Sequence, residues 1–309
     1  MFDVNLLFKN LDYFEPQTYK NLTVIGIKSS LFNDLDILPL KKGLDMGIVE
    51  ITEVNAEGNV NLLSVKNNAV TPLLILEGEE VIGAKQNRIF NSTYVISPKS
   101  TVNTQVSCTE LGRWNYKSST FKYSNHFAHS TLRRCNSEEV YYSLENHDSR
   151  YSNQSRVWEE IDKIHENFNI DSDTQALRDM YLNKKSDFLA YQKHFPLQDN
   201  QIGSIIIINN EVIGIEFFYN YSLYKYYHNQ IIESYIPDAI CNYNSFDDIN
   251  YVLLSKDFIN EIISSEIEEF DLMSIGEDYR IKHNEISGSV TLINNDFINA
   301  SFLRKVKSF

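Results

Sequence analysis

The feature that most constrains the fold of this chain is a series of short β-branched runs, separated by turn residues, over residues 20–130. Val, Ile and Thr favour extended strands, whereas Asn, Gly and Pro interrupt them. The pattern predicts six strands in this region: Leu22–Lys28, Ile48–Val54, Val60–Val65, Thr71–Leu76, Asn91–Ser97 and Thr101–Cys108. Many short strands close together in sequence favour an N-terminal β-sandwich or roll.

The pattern changes in the middle of the chain. Apolar residues recur at helical spacing over residues 153–168 and again over 173–195. Asp171 and Asp173 are candidate N-caps of the second helix. The sequence therefore predicts a helical hairpin inserted over residues 136–195.

Residues 200–309 mix strands with helix. Asn209-Asn210 and Asn294-Asn295 fit tight hairpin turns, because asparagine tolerates positive φ. The predicted elements are a hairpin of Gly203–Ile208 with Glu211–Phe218, a helix around 247–270, and a hairpin of Gly288–Ile293 with Phe297–Leu303. The chain 1–309 is interpreted as a single α+β domain, with further β-hairpins toward its C-terminus.

Composition limits the partners of the chain. It carries 42 acidic and 28 basic residues, a net charge of -14, which disfavours bulk nucleic acid but allows a local positive pocket for a small nucleotide. Three widely spaced cysteines favour a reducing compartment, and the longest apolar runs are far too short for a membrane span. We expect a cytoplasmic protein, and homo-oligomerisation is left open.

The stretch 77–88 places charged and amide side chains between strongly apolar segments. If residues 84–96 form one strand, Gln86 and Arg88 share one face while Lys85 and Asn87 share the other. Buried groups of mixed sign need partners, so a ligand pocket is one interpretation. The alternative is a solvated hairpin tip whose ion pairs contribute ~0–1 kcal/mol each. The candidate site residues are Glu77, Glu79, Glu80, Lys85, Gln86, Asn87 and Arg88.

The second polar segment covers residues 108–114 and adds Cys108, Glu110, Arg113 and Trp114. A guanidinium binds phosphate or carboxylate in a fork, and an indole stacks on a base, so this set suits a planar anionic ligand. The alternative is structural, with Trp114 anchoring the core edge and Arg113 covering it.

Three weaker signals stand beside these segments. Arg280 either adds a phosphate contact to the same pocket or forms a surface ion pair. Cys108 is a candidate nucleophile, although a cysteine at a strand end is more often buried and inert. Cys108 and Cys135 with His126 and His129 have ligand-type side chains but match no standard zinc spacing, so no metal site is assigned and no cofactor is identified.

The motifs resemble those of the ADP-ribosylglycohydrolase and rhodanese-phosphatase-superfamily-associated protein domain. The matching runs are GEEVIGAKQNR at 78–88, SCTELGRW at 107–114, and GEDYR at 276–280 followed by GSVTLINNDFINASF. The resemblance spans about residues 20–305, and the helical insert is its least typical part. It implies a role beside ADP-ribose-processing enzymes, in bacterial or phage conflict or in stress.

These observations support three hypotheses. In the first, the protein binds and processes an ADP-ribose-like nucleotide, with cations on its phosphates, amides reading ribose or base edges, and Trp114 stacking. Catalysis as acid or base then falls to Glu77, Glu79, Glu80 or Glu110. The second hypothesis is a binding module that senses or sequesters the same ligand. The third is a structural interaction subunit that uses the tyrosine-rich stretch 219–227 as its surface.

Overall fold

The computed structural model describes residues 3–29, 35–243 and 250–306. Within these ranges no helix combines the length and the apolar character that crossing a bilayer requires. The helices are α1 Asn5–Phe8, α2 Leu40–Asp45, α3 Ser130–His147, α4 Gln154–Phe168, α5 Leu177–Asn183, α6 Lys185–Gln192, α7 Tyr221–Cys241 and α8 Tyr251–Ser264.

The strands in the same ranges are β1 Leu11–Tyr13, β2 Gln17–Tyr19, β3 Leu22–Ser29, β4 Leu38–Pro39, β5 Val49–Glu53, β6 Leu62–Asn67, β7 Leu73–Ile75, β8 Glu79–Gly83, β9 Arg88–Phe90, β10 Tyr94–Ile96, β11 Ser100–Cys108, β12 Phe121–Phe127, β13 Gly203–Ile208, β14 Glu211–Phe218, β15 Glu266–Asp271, β16 Glu277–Lys282, β17 Ile286–Ile293 and β18 Asp296–Arg304. The α+β class is confirmed, with N-terminal strands, helices and C-terminal hairpins.

The backbone groups into two compact units. Unit 1 comprises residues 1–34, 186–270 and 277–309, and unit 2 comprises residues 35–185 and 271–276. The interpretation of 1–309 as a single domain stays a prediction, and each unit is described separately below.

Unit 1 is built on one sheet of nine strands in the order β1-β3-β13-β14-β18-β17-β16-β15, with β2 added beside β3. One face carries the apolar core, where Phe258, Ile259 and Ile262 of α8 pack with Ile215 and other strand residues. Helix α7 lies on the other face, since side chains alternate along a strand and Tyr235 donates to Glu216 Oε1 at 2.7 Å.

Three of the five tyrosines in residues 219–227, the stretch predicted as an exposed interaction surface, are buried, and Tyr221 and Tyr226 are partly exposed. Tyr224 and Tyr227 are fully buried. The Tyr224 hydroxyl lies 2.6 Å from Ser204 Oγ, and the Tyr227 ring stacks on Phe218 at 5.6 Å between centroids. Two tyrosines three positions apart lie on one side of a helix, and here that side faces the core.

Unit 2 contains a six-stranded sheet in the order β12-β8-β9-β11-β6-β5 and a three-stranded sheet in the order β10-β7-β4. Five of the six strands predicted over residues 20–130 lie here. Strands β8 and β12 escaped prediction because polar side chains such as Glu79, Glu80 and Asn125 interrupt their apolar pattern.

The predicted helical hairpin is a run of four helices. Helix α4 agrees with the prediction, and Asn153 caps it by accepting from the Ser155 amide at 3.1 Å. The predicted second helix is divided into α5 and α6, and α5 begins after Ala176 rather than at an aspartate cap. Helix α3 has no clear apolar stripe, because its buried face carries polar residues such as Arg134 and Asn136.

The predicted helix at 247–270 is correct only over α8. Residues 247–249 lie outside the described residues, and residues 266–271 form β15 instead of continuing the helix. Both asparagine turns are confirmed, since Asn209, Asn210, Asn294 and Asn295 all have positive φ between 49° and 68°.

The Asn295 turn provides a test of the C-terminal hairpin. Asn295 has φ 68° and an exposed side chain, so the backbone conformation alone decides the effect of a substitution. We expect Asn295→Val to lower the free energy of unfolding by about 1–3 kcal/mol, because a β-branched residue is strained at positive φ. Asn295→Gly is the matched control, and calorimetry should find it at least as stable as the native chain; equal melting of both variants contradicts the assigned turn.

Candidate functional site

Antiparallel pairing of β9 with the end of β11 brings the two polar segments together in unit 2. Cys108 lies opposite Arg88 in this ladder. Strands β8 and β9 form a hairpin whose tip is residues 84–87. The prediction of a single strand over 84–96 is therefore wrong, because the chain turns at Gly83 and Ala84, where φ is 126° and 35°.

Hydrogen bonds also join the residues that precede β9 to the residues that follow β11. The Thr109 amide donates to Asn87 O at 3.0 Å, and the Asn87 amide donates to Glu110 Oε2 at 3.3 Å. The Gln86 side-chain amide donates to Glu110 O at 2.8 Å. These three contacts join the hairpin tip to the second segment as one polar junction, defined as residues 83–88 with 108–114.

Gly83 lets the loop after the second segment pack directly against the hairpin. A Cβ built at this position would lie 2.7 Å from Ser118 Oγ and 2.9 Å from Thr120 O. Positive φ and this close approach both exclude a larger residue. The Ser118 hydroxyl, in turn, accepts from the Ala84 amide at 3.0 Å.

Arg113 acts as the clamp of the polar junction. Its Nη1 donates to Ala84 O at 2.7 Å and Asn115 O at 2.9 Å. Its Nη2 donates to Gly83 O and to Asn87 Oδ1, both at 3.2 Å, and lies 2.6 Å from Glu110 Oε2. The guanidinium therefore holds both sides of the junction; a direct contact between Arg113 and a ligand stays a prediction.

Glu110 is held in its ionised form by neighbouring cations. Burial acts to raise its pKa, but the hydrogen bond and charge of Arg113, with the charge of Lys117, outweigh burial and lower the pKa. Its Oε1 accepts from the Thr174 hydroxyl at 3.1 Å. Glu110 thus combines a fixed orientation with a negative charge at neutral pH.

The other three predicted carboxylates, those of Glu77, Glu79 and Glu80, are also buried, but they do not pair with Arg113. Glu79 is fully buried and accepts from the Leu76 amide at 2.6 Å and the Tyr123 hydroxyl at 2.8 Å. Burial raises its pKa to about 8 despite these hydrogen bonds. Burial also raises the pKa of Glu80, whose Oε1 accepts from the Thr109 hydroxyl at 2.8 Å. Glu77 is buried as well.

The cationic side chains of Lys85 and Arg88 both lie against the aromatic ring of Trp114. Arg88 is fully buried, and its guanidinium carbon lies 5.7 Å from the centre of the Trp114 ring. The Lys85 ammonium lies 5.3 Å from the same ring and 5.0 Å from that of Tyr116, and donates to Glu57 O. Burial lowers the pKa of Arg88.

Cys108 lies beneath this pair and is fully buried. Its thiol donates to Gln86 Oε1 at 3.0 Å, and burial raises its pKa, which disfavours the thiolate that a nucleophile requires. Gln154 of α4 continues the ladder, since its side-chain amide bonds both the N–H and the C=O of Cys108, at 2.7 and 2.9 Å.

The residues weighed for zinc are dispersed among other partners. The His126 ring stacks on Tyr181 at 4.3 Å between centroids, His129 precedes α3, and Cys135 lies 3.5 Å from Arg134 Nη2. Over the part of the chain that the structure describes, no group of three or more His, Cys, Asp or Glu side chains is arranged to hold a metal ion.

Arg280 lies in unit 1, on β16, and its Nε donates to Asp278 Oδ2 at 2.8 Å. Both side chains are buried. The surface ion pair considered from the sequence is therefore wrong in its location, because β16 is an inner strand of the sheet. The role of Arg280 as a ligand contact stays a prediction.

A cavity of about 410 Å³ opens beside the polar junction within unit 2. Of the predicted site residues, Asn87 and Glu110 line it. Its charged lining also includes Lys117, Lys122, Arg178 and Asp179, which sequence reasoning missed. Recognising Phe121–Phe127 as a strand would have identified Lys122, since Lys122 pairs with Ile82 of β8. Arg178 comes from the helical insert and carries no local signal.

Comparison with known proteins identifies one family. The model of the ARG and Rhodanese-Phosphatase-superfamily-associated Protein domain matches residues 10–303. Among curated proteins and solved structures, none matches this chain.

The clamp yields a test with an internal control, because two cations pair with Glu110. We expect Arg113→Gln to lower the free energy of unfolding by about 3–5 kcal/mol, since it removes the guanidinium from Glu110 and from the carbonyl groups of Gly83, Ala84 and Asn115. Lys117 lies 3.6 Å from Glu110 Oε1 with a side chain that is 65% exposed. Lys117→Gln should cost less than about 1 kcal/mol by urea unfolding; similar losses for both variants refute the clamp.

Glu79 generates a pH prediction. Its pKa rises from 4.5 to about 8 on folding, so between these pH values the folded chain holds a proton that the unfolded chain has released. Stability contributed by this group therefore falls as pH rises through this window. Glu79→Gln imitates the neutral acid. Relative to the native chain, its free energy of unfolding should increase from pH 5 to pH 8.5, by at most several kcal/mol; parallel curves exclude a raised pKa.

Proposed function

The chain belongs to the ARG and Rhodanese-Phosphatase-superfamily-associated Protein domain family, and from that premise we propose that it binds and processes a nucleotide-derived small molecule of the ADP-ribose type. We take ARG to denote ADP-ribosylglycohydrolase, and that association supports the choice of ligand. We also propose that it acts in the cytoplasm, in bacterial or phage conflict or in stress.

The observation that carries the proposal is the charge of the cavity in unit 2. Lys117, Lys122 and Arg178 supply three cations, against the carboxylates of Glu110 and Asp179. Glu110 is already neutralised by Arg113 at 2.6 Å. The chain as a whole has a net charge of -14, so a cationic pocket in it needs a specific reason, and an anionic ligand is that reason.

The size and the polar groups of the cavity agree with a nucleotide-derived ligand. A volume of about 410 Å³ lies within the range of small-molecule sites. In the proposal, the three cations bind phosphate oxygens. The side-chain amide of Asn87 and the hydroxyl of Thr174 contact ribose or base edges. Both polar residues line the cavity.

For turnover, Glu110 is the candidate base. It lines the cavity, and its lowered pKa keeps it ionised at neutral pH, so it accepts a proton from an attacking water more readily than it donates one. Glu79 and Glu80 have raised pKa values and contact the core, which suits them to supporting the hairpin.

A binding module without turnover is the second candidate function, and the partners of Glu110 favour it. Its oxygens already accept from the Asn87 amide, the Thr174 hydroxyl and the Arg113 guanidinium. A carboxylate with this many donors is a weaker base, and it orients other groups well. The structural-subunit hypothesis has less support, because Tyr224 and Tyr227 of its proposed surface are buried.

The test removes cavity cations one at a time. We expect Lys122→Gln and Arg178→Gln each to weaken ADP-ribose binding at least tenfold, about 1.4 kcal/mol, because each removes a charged donor. Calorimetric titration measures the affinity. Lys163→Gln is the matched control, because it removes the same charge from an exposed lysine of α4. Lys163 pairs with Glu160 at 2.7 Å.

Mass analysis of the recovered ligand separates the two candidate functions. After incubation with ADP-ribose, cyclic ADP-ribose isomers or NAD, product formation that Glu110→Gln abolishes supports processing. Unchanged ligand, recovered after denaturation, supports the binding module. Equal affinity of Lys122→Gln, Arg178→Gln and the native chain, or no binding of any of these nucleotides, contradicts the proposed site.

A further inference from the structure

The guanidinium of Arg88 has an unused hydrogen-bonding edge. Its Nη1 donates to Gln86 Oε1 at 3.3 Å and to Asn87 O at 3.2 Å. Its Nε and Nη2 have no hydrogen-bond partner among the described residues, although the side chain is fully buried. These two nitrogens flank the same edge of a guanidinium, the edge that binds the two oxygens of a phosphate or carboxylate together.

Leaving such an edge unsatisfied in the protein interior is costly. A buried charged donor without an acceptor loses its hydration and gains nothing in return, so an unpaired fork in a native fold needs an explanation. Asn87, the preceding residue, lines the 410 Å³ cavity, whereas Arg88 does not. The fork is therefore separate from the site proposed above.

The neighbours of the fork carry opposite charges. Lys85 adds a second cation that is 9% exposed, and Glu53 lies close enough for its charge to act on Arg88. Glu53 Oε1 accepts from the Lys85 amide at 3.3 Å, while its Oε2 lacks a partner within the described ranges. The Gly58 loop packs over both, since a Cβ at Gly58 would lie 3.0 Å from Lys85 Cδ and 3.3 Å from Glu53 Oε2.

Trp114 covers this group from solvent. The centre of its ring lies 5.7 Å from the Arg88 guanidinium carbon and 5.3 Å from the Lys85 ammonium, and the residue is 41% exposed. A cation–π contact is much weaker than a bidentate ion pair in a dry site. An oxyanion that satisfied the fork would therefore outweigh the contacts that hold the ring in place.

We propose that Arg88 and Lys85 form a closed oxyanion site, specific for a phosphate group, and that Trp114 is a cover displaced when the anion enters. The inference is independent of the proposed function, because the residues of the fork do not line the cavity. Glu53 opposes entry of the anion through its negative charge. A phosphate that carries a P–OH group offsets part of this repulsion, because its hydroxyl donates a hydrogen bond to Glu53.

The first experiment uses the fluorescence of Trp114. The chain has two tryptophans, so Trp158→Phe leaves Trp114 as the sole reporter. Titration with inorganic phosphate should give a saturable red shift of the emission and stronger quenching by acrylamide, as the ring moves into water. In the same background, Arg88→Lys should weaken phosphate binding at least tenfold, because it keeps the charge and removes the fork.

Controls assign the response to this site. Lys122→Gln removes a cation of the cavity and should leave the response of Trp114 fluorescence to phosphate unchanged. Acetate should bind at least tenfold more weakly than phosphate, because it cannot donate to Glu53. Glu53→Gln should strengthen phosphate binding, since it removes the opposing charge.

A second variant keeps the test decisive if Arg88→Lys does not fold. Trp114→Ala removes the cover and should increase phosphate affinity several-fold, as measured by calorimetric titration. No saturable change of Trp114 emission overturns the proposal, and so does phosphate binding that Arg88→Lys leaves intact. Equal affinity of the native chain and Trp114→Ala overturns the role of Trp114 as a cover.

Discussion

The polar junction of unit 2 depends on one interaction, the pairing of Arg113 with Glu110. The guanidinium reaches across the hairpin tip to Gly83 and Ala84, while the carboxylate holds the Asn87 amide. Each partner therefore anchors one segment to the other. An ion pair this deeply buried is worth keeping only when hydrogen bonds satisfy both groups, and here several do.

The clamp also divides the site into two sides. Asn87 and Glu110 are held facing a cavity whose other charges are mainly cationic, and Arg88 is held beneath Trp114 with an unused fork. Neither arrangement is explained by stability alone, since both hold more cations than carboxylates in an acidic chain. Anion recognition is the physical requirement that accounts for both.

The sequence was most informative where structure is local. Asn294 and Asn295 adopt the positive φ that their turn predicts, and the β-branched runs form strands. The contrast between polar residues 77–88 and their apolar flanks also located the junction. Strand β12 and helix α3 were missed because their buried faces are partly polar. Lys122 and Arg178 were missed because only strand pairing and helix packing, over tens of residues, bring them to Asn87.

The most direct test of a preformed junction is residue-resolved amide hydrogen exchange of the ligand-free protein, read at Thr109 and Asn87. Their N–H groups lie outside regular strands and are bonded across the junction. If the two segments are locked together, both amides exchange as slowly as those of β9 and β11. Exchange at the rate of an exposed loop would mean that the segments separate freely, and the account would be wrong.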